Sequence, residues 1–521
     1  MSWIVLGEEK GKIKLVSKKP KHGERPGLLP KGSYLTVEPE NMESRFILRV
    51  DDSLQHEPYS PSPMIVDMNL SGLYEDRKCQ NIIYAYRVKD ISNRKDGKID
   101  FVPPQSLARR STQKEIDIAM GSEKKGPKVF LATIHAGQNQ LLVDDELDYI
   151  TTRLPEEMFY HQMQICGKTG SGKTVAIKYL AQYFVEEMGG AALAINVKDV
   201  DLLMMDMPSK ASNKGVLKEW ETLNEKARGL SNCTIYYPAN TAIESNKGVN
   251  LDICQKITLD VRKIEPEALT GLLQNISDVG AQSFPAIFRY WQSKKMNKSD
   301  TFGTFVNYFR DGETNPFFDT INARGDESSV PLHSGTFNNI LRNLNAALEF
   351  FDNEDAISLD YDDILYKGKL SVINVAGQKG IQFGSILLRH LLKRIVEVKS
   401  QLQSDVPILV VIDEVHQFYN TESSREALGD LDTICRTGRS QKIGVIFSSQ
   451  NQNDMPKGLS NVINTKIFFR SDGVSGSLFG VSNDEIQTLK AGFAVANIHD
   501  LSQLRILKFP LAFAGVFEKE Q

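Results

Sequence analysis

Gly167, Lys168, Thr169, Gly170, Ser171, Gly172, Lys173 and Thr174 read G-x-x-x-x-G-K-[ST], the spacing that can cradle a triphosphate. Glycines let the backbone N–H groups turn inward without a Cβ clash, so such a loop can surround phosphate oxygens. The pattern gives Lys173 to the β- and γ-phosphates and the Thr174 hydroxyl to Mg²⁺. ATP and Mg²⁺ are the expected ligands. The flanks suit the motif: Gln162–Cys166 reads as a strand, and Ile177, Leu180, Ala181, Phe184, Val185 and Met188 recur at helical spacing before Gly189-Gly190.

Hydrolysis needs carboxylates beside the phosphates. Pro407–Ile412 is an apolar strand that delivers Asp413 and Glu414 at its C-terminal end, where ligands gather in open α/β sheets. Asp413 is the expected second Mg²⁺ residue and Glu414 the general base for water. The plainer alternative is a strand ending in surface acids.

The run Ile443–Ser449 ends at Gln450, a side chain placed to sense a γ-phosphate or its water. Arg436-Thr437-Gly438-Arg439 comes just before it, after a helical stretch at Ser424–Cys435. An arginine here is either a finger for a neighbour's ATP site or a helix-terminal cation facing the dipole.

Such side chains need a rigid α/β scaffold. From about residue 155, the runs Ala191–Val197, Leu370–Val375, Ile408–Ile412, Ile443–Phe447 and Lys466–Phe469 have the continuous β-branched character of buried, mainly parallel strands. Helical patterns separate them. Residues 263–360 read as a helical insertion, which splits the core into 151–262 and 361–521.

Residues 1–150 differ. Short runs at Trp3–Leu6, Lys12–Val16, Ser33–Val37, Phe46–Val50, Met64–Met68, Asn81–Val88, Ile99–Val102 and Lys128–Ile134 alternate with turn signals, which predicts a small all-β barrel. Segment 109–128 reads as a mobile basic loop, solvated or touching nucleic acid.

The chain of 521 residues is long enough for about three domains, and its 41% hydrophobic and 25% charged residues describe an ordinary globular protein. No run approaches a membrane span, and the opening MSWIVLGEEKGKIK lacks a signal-peptide layout, so a cytoplasmic location without membrane contact is expected. The five cysteines are scattered with no C-x-x-C pair, which disfavours disulfide or zinc chemistry. The net charge of −4 gives no sign of nucleic acid, although a ring can confine positive charge to its channel.

Taken together, these segments resemble the HerA-type DNA translocases, relatives of the FtsK pumps. His161 followed by QMQICGKTGSGKT is similar to that family's H-x-x-I-x-G-x-T-G-S-G-K segment, Leu409–Glu414 to its Walker B strand, and Gly438-Arg439 with Ile443–Gln450 to its G-R…S-Q segment. Thr465–Arg470 and Gly492–Asn497 fit its closing strands. Asn196-Val197-Lys198-Asp199 departs from it, since an earlier aspartate is expected there.

The resemblance implies a RecA-like P-loop ATPase core with an N-terminal barrel and an inserted helical bundle. It implies a homo-oligomer, hexameric, around double-stranded DNA. It favours Arg439 as the trans-acting arginine, with Arg436 second, and Gln450 as sensor. It further implies a nuclease or NADase-type effector held by the barrel, in DNA end processing or antiphage defence. Lys198–Lys214 and Asn451–Lys457 are candidate channel loops. Two other readings stand beside the motor: an ATP-regulated scaffold that assembles an effector, and a pump of the conjugation or chromosome-segregation type.

Overall fold

The structure, a computed structural model, describes residues 3–17, 27–40, 44–56, 80–91, 100–121, 125–135, 137–198, 202–241, 248–272, 278–314, 316–376, 378–419, 438–455, 459–472, 474–499, 501 and 505–517. Strands β1 (Trp3–Glu9), β2 (Lys12–Ser17), β3 (Tyr34–Glu38), β4 (Arg45–His56), β5 (Gln80–Ile91) and β6 (Leu107–Arg110) close into a barrel in the order β1-β2-β5-β4-β3-β6. Period-two alternation builds it: Ile13 and Leu15 are buried inside while Lys12 and Lys14 stay partly in water.

The expected barrel strand at Lys128–Ile134 belongs elsewhere. Strand β7 (Lys128–His135) lies in the large sheet, against β8 (Gln138–Leu141), β9 (Thr151–Arg153) and the late strand Ile506–Lys508. Its six consecutive buried residues suit a sheet covered on both faces better than a barrel wall. The run at Met64–Met68 falls outside the described residues, and residues 100–102 form no strand. The expected loop at 109–128 instead contains helix α1 (Gln113–Met120), opened by a capping box between Thr112 and Glu115 and closed by left-handed Gly121.

The larger part of the chain is an α/β sheet. Its strands are β10 (Gln162–Cys166), β11 (Ala191–Asn196), β12 (Cys233–Pro238), β13 (Cys254–Thr258), β16 (Ile357–Ser358), β17 (Leu370–Asn374), β18 (Ile408–Ile412), β19 (Ile443–Ser449), β20 (Thr465–Phe468), β21 (Phe493–Asn497) and β22 (Ile506–Lys508). They run in the order β16-β13-β12-β17-β11-β18-β19-β10-β20-β21-β22-β7-β8. Every pairing from β16 to β20 is parallel, and the remainder is antiparallel. Helices α2 (Lys173–Glu186) and α3 (Lys214–Leu223) precede the insertion and α7 (Gln378–Ser400) follows it. This is the expected RecA-like P-loop α/β fold.

The insertion holds helices α4 (Asp278–Lys294), α5 (Phe302–Arg310) and α6 (Ser334–Ala347), but it is not purely helical. A hairpin of β14 (Phe317–Ile321) and β15 (Glu327–Pro331) lies between α5 and α6. It is anchored by Phe318, whose ring stacks on Phe309 at 4.8 Å, while Phe309 stacks on Phe337 at 5.0 Å. The insertion shares one continuous apolar core with a face of the large sheet, where Phe284 and Phe288 join Leu193 and Ile195. Among the described residues, no helix is long and apolar enough to cross a membrane.

Candidate nucleotide-binding site

The sheet brings three sequence-distant segments to one edge. Strands β18, β19 and β10 are neighbours and run parallel, with Cys166 opposite Ser449 and Ile412 opposite Phe447. Their C-terminal ends therefore discharge the phosphate loop, the Asp413-Glu414 pair and Gln450 side by side.

The loop is fastened from both flanks. Gly167 N–H donates to the Ser449 carbonyl at 3.1 Å and Lys168 N–H to that of Arg470 at 2.9 Å. Gly170 and Gly172 take φ of 75° and 98°. A Cβ on Gly172 would stand 2.6 Å from the Gly492 nitrogen, so only glycine fits that close approach. Helix α2 opens at Lys173 with no side-chain cap on its first amides, which leaves N–H groups and the positive end of the dipole for an anion. Thr169 and Gly170 are exposed, Thr174 is half-buried, and exposed Lys168 pairs with Asp472. The Ser171 hydroxyl is buried with no hydrogen-bond partner among the described residues. An uncapped helix start, a glycine cradle and an orphaned hydroxyl fit a phosphate chain.

Lys173 is buried, with Nζ 3.1 Å from the Ser449 carbonyl and 3.3 Å from Glu414 Oε1. Asp413 is buried as well, and its Oδ1 accepts the Ser448 hydroxyl hydrogen at 2.6 Å. Glu414 sits in the left-handed region (φ 48°), strain of a kind that collects at functional sites. Gln450 Nε2 donates to Glu414 Oε1 at 3.1 Å, and Lys198 Nζ lies 2.8 Å from the same oxygen. Burial alone would push the Glu414 carboxyl up, but Lys173, Lys198 and Gln450 outweigh it and hold it below the usual range. Thr174 and Asp413 are the residues whose oxygen chemistry would suit Mg²⁺.

Lys173, Thr174, Asp413, Glu414 and Gln450 therefore share one edge. Arg439 does not. It is exposed and precedes the N-terminal end of β19, so the strand separates it from its own P-loop by roughly 20 Å. Arg436, the helical stretch at Ser424–Cys435 and Asp199 fall outside the described residues. Two functional neighbours were not anticipated. Ser448 carries no pattern in the sequence that marks it, and Lys198 opens the candidate channel loop Lys198–Lys214. Much of that segment is folded down: Leu202, Leu203 and Met205 are buried, and Ser209 and Lys210 N–H groups donate to the carbonyls of Phe513 and Val516.

No family model matches the chain, and no curated protein does. Among solved structures, VirB4 of Thermoanaerobacter pseudethanolicus is similar at a TM-score of 0.43 and 11% identity, covering 70% of this chain and 94% of that one. The bacterial conjugative coupling protein TrwBdeltaN70, in its unbound monoclinic form, gives 0.42 and 11% over 79% and 94%. The genome packaging NTPase B204 from Sulfolobus turreted icosahedral virus 2, in complex with sulfate, gives 0.21 and 16% over 29% and 72%.

Proposed function

We propose that the chain is a Mg²⁺-dependent ATPase that works as a ring-forming DNA translocase. The observation that carries the ATPase reading is the meeting of Lys173, Asp413, Glu414 and Gln450 around a loop whose glycines and helix amides are open to phosphate. The loop and the α2 amides bind the phosphates, and Lys173 neutralises the β- and γ-oxygens. Glu414 takes a proton from the attacking water as its oxygen bonds to the γ-phosphorus and the bond to the bridging oxygen breaks. Gln450 orients that carboxylate. Mg²⁺, held by Thr174 and Asp413, supplies charge neutralisation on the phosphates when bound.

The position of Arg439 supports catalysis between protomers. In its own chain it is a strand's length from the phosphate loop, whereas an exposed cation on the opposite edge can face a neighbour's site. On this reading, six protomers surround duplex DNA, hydrolysis moves them against its phosphates, and the barrel docks a nuclease or NADase-type effector. The test is ATP turnover with and without linear duplex DNA, alongside mass in solution. Salt-sensitive stimulation of a ring-sized assembly is the expected result. A ring that hydrolyses ATP without responding to DNA would overturn translocation in favour of an effector-assembling scaffold.

A further inference from the structure

Lys198 follows β11 by two residues, and β11 lies next to β18. Its Nζ is 2.8 Å from Glu414 Oε1 and 3.9 Å from Asp413 Oδ2. With Lys173 at 3.3 Å and Gln450 at 3.1 Å, three donors converge on that one carboxylate oxygen. The other, Oε2, is buried without a hydrogen-bond partner among the described residues. With Oε1 taken by three donors and Oε2 closed off from solvent, neither oxygen is arranged to hold a water molecule.

The two lysines differ in freedom. Lys173 is 4% exposed and pinned to a carbonyl, whereas the side chain of Lys198 is 36% exposed on a flexible four-carbon stem. In this cluster two ammonium groups, of Lys173 and Lys198, balance two carboxylates, of Asp413 and Glu414. A triphosphate remains net negative even with its Mg²⁺, and it enters beside this cluster. Its γ-phosphate is a stronger attractor for the more exposed ammonium than a carboxylate already shared with Lys173 and Gln450.

We propose that Lys198 responds to the γ-phosphate: it holds Glu414 by an ion pair in the nucleotide-free protein and moves to the γ-phosphate when ATP binds, releasing the carboxylate for water. This rests on the ATPase reading of the same site. It predicts that ADP, which has no γ-phosphate, leaves the Lys198–Glu414 pair in place. Lys198 thereby couples occupancy by ATP, and not by ADP, to an armed base.

The test measures affinity for ADP and for a non-hydrolysable ATP analogue with an intact γ-phosphate, together with kcat, in Lys198→Met, Lys198→Gln and Lys198→Arg. In the two neutral variants, analogue affinity should fall about 10-fold, because the lysine exchanges one charge-assisted contact for a stronger one, while ADP affinity stays within about 2-fold. The kcat should fall in parallel, and Lys198→Arg should recover part of the analogue affinity. Two neutral variants guard against a folding failure in one. Equal changes for ADP and analogue, or a wild-type kcat in a folded neutral variant, would overturn the proposal. If wild-type protein bound no nucleotide, or Lys173→Ala kept full turnover, the ATPase reading itself would fall instead.

Discussion

Lys173 and Glu414, 241 positions apart in the sequence, lie 3.3 Å from each other with both side chains almost closed to water. One begins the helix after β10 and the other ends the turn after β18, with β19 between. Lys173→Ala should abolish nucleotide binding or hydrolysis. Glu414→Gln should bind ATP and retain it, with turnover reduced about 10²- to 10⁴-fold, the usual weight of a general base. Single-turnover assays beside equilibrium binding check both. Wild-type turnover in the glutamine variant would remove Glu414 from the base role.

Gly172 has room for hydrogen only. Its φ of 98° and the Gly492 nitrogen 2.6 Å from a virtual Cβ leave no place for a methyl group. Gly172→Ala should therefore distort the loop and weaken nucleotide binding at least about 10-fold, with a lower melting temperature. Gly121→Ala, also at positive φ but with nothing near its Cβ, separates the two effects: it should lower the melting temperature slightly and leave nucleotide affinity intact.

The Ser448 hydroxyl donates to Asp413 at 2.6 Å and so holds the carboxylate that is expected to face the metal. Ser448→Ala should raise the Mg²⁺ concentration for half-maximal turnover about 10-fold, the common effect of losing an outer-shell partner. Chelating the metal should stop turnover in both proteins. An unchanged Mg²⁺ titration would show that Ser448 does not position a metal residue.

Arg439 should act in a neighbour. Arg439→Ala is expected to bind nucleotide with near wild-type affinity and lose hydrolysis by about 10³-fold or more. Mixing it with Lys173→Ala protomers should restore part of the rate, because some interfaces then combine an intact phosphate loop with an intact arginine. No recovery at any mixing ratio would rule out the trans role.

Glu115 ties α1 to the barrel. Its carboxylate accepts hydrogen bonds from Arg109 at 2.6 and 2.9 Å, from the Thr112 N–H at 2.9 Å and from the Thr36 hydroxyl at 3.0 Å. Burial pushes this group up, yet Arg109, Thr112 and Thr36 together pull it down to about 2. A carboxyl depressed on folding stabilises above its unfolded value near 4.5 and loses that contribution as pH falls toward 2. Glu115→Gln should cost about 2 kcal/mol near neutrality, after allowance for solvent around the half-exposed Arg109. In melting curves, the gap between the two proteins should close between about pH 4.5 and 2. A constant gap across that range would remove the ion pair as its cause.

The phosphate loop, the apolar strand before Asp413-Glu414, the α/β class and the barrel strands β1–β5 were legible in the sequence. Each is a local pattern: a glycine spacing, a continuous apolar run or a period-two alternation, set by backbone sterics and burial within a few residues. Even the missed helix α1 had a local sign, the Thr112–Glu115 capping box, and the missed hairpin at Phe317–Pro331 had a polar, glycine-containing turn at 322–326. Strand β7 was misplaced because its apolar run states that it is buried but not against which sheet. Placing Ser448 on Asp413, Lys198 on Glu414 and Arg439 at the far edge required the strand order β11-β18-β19-β10. Those relationships arise from parallel pairings between segments up to hundreds of residues apart, and no local pattern records which strands will be neighbours.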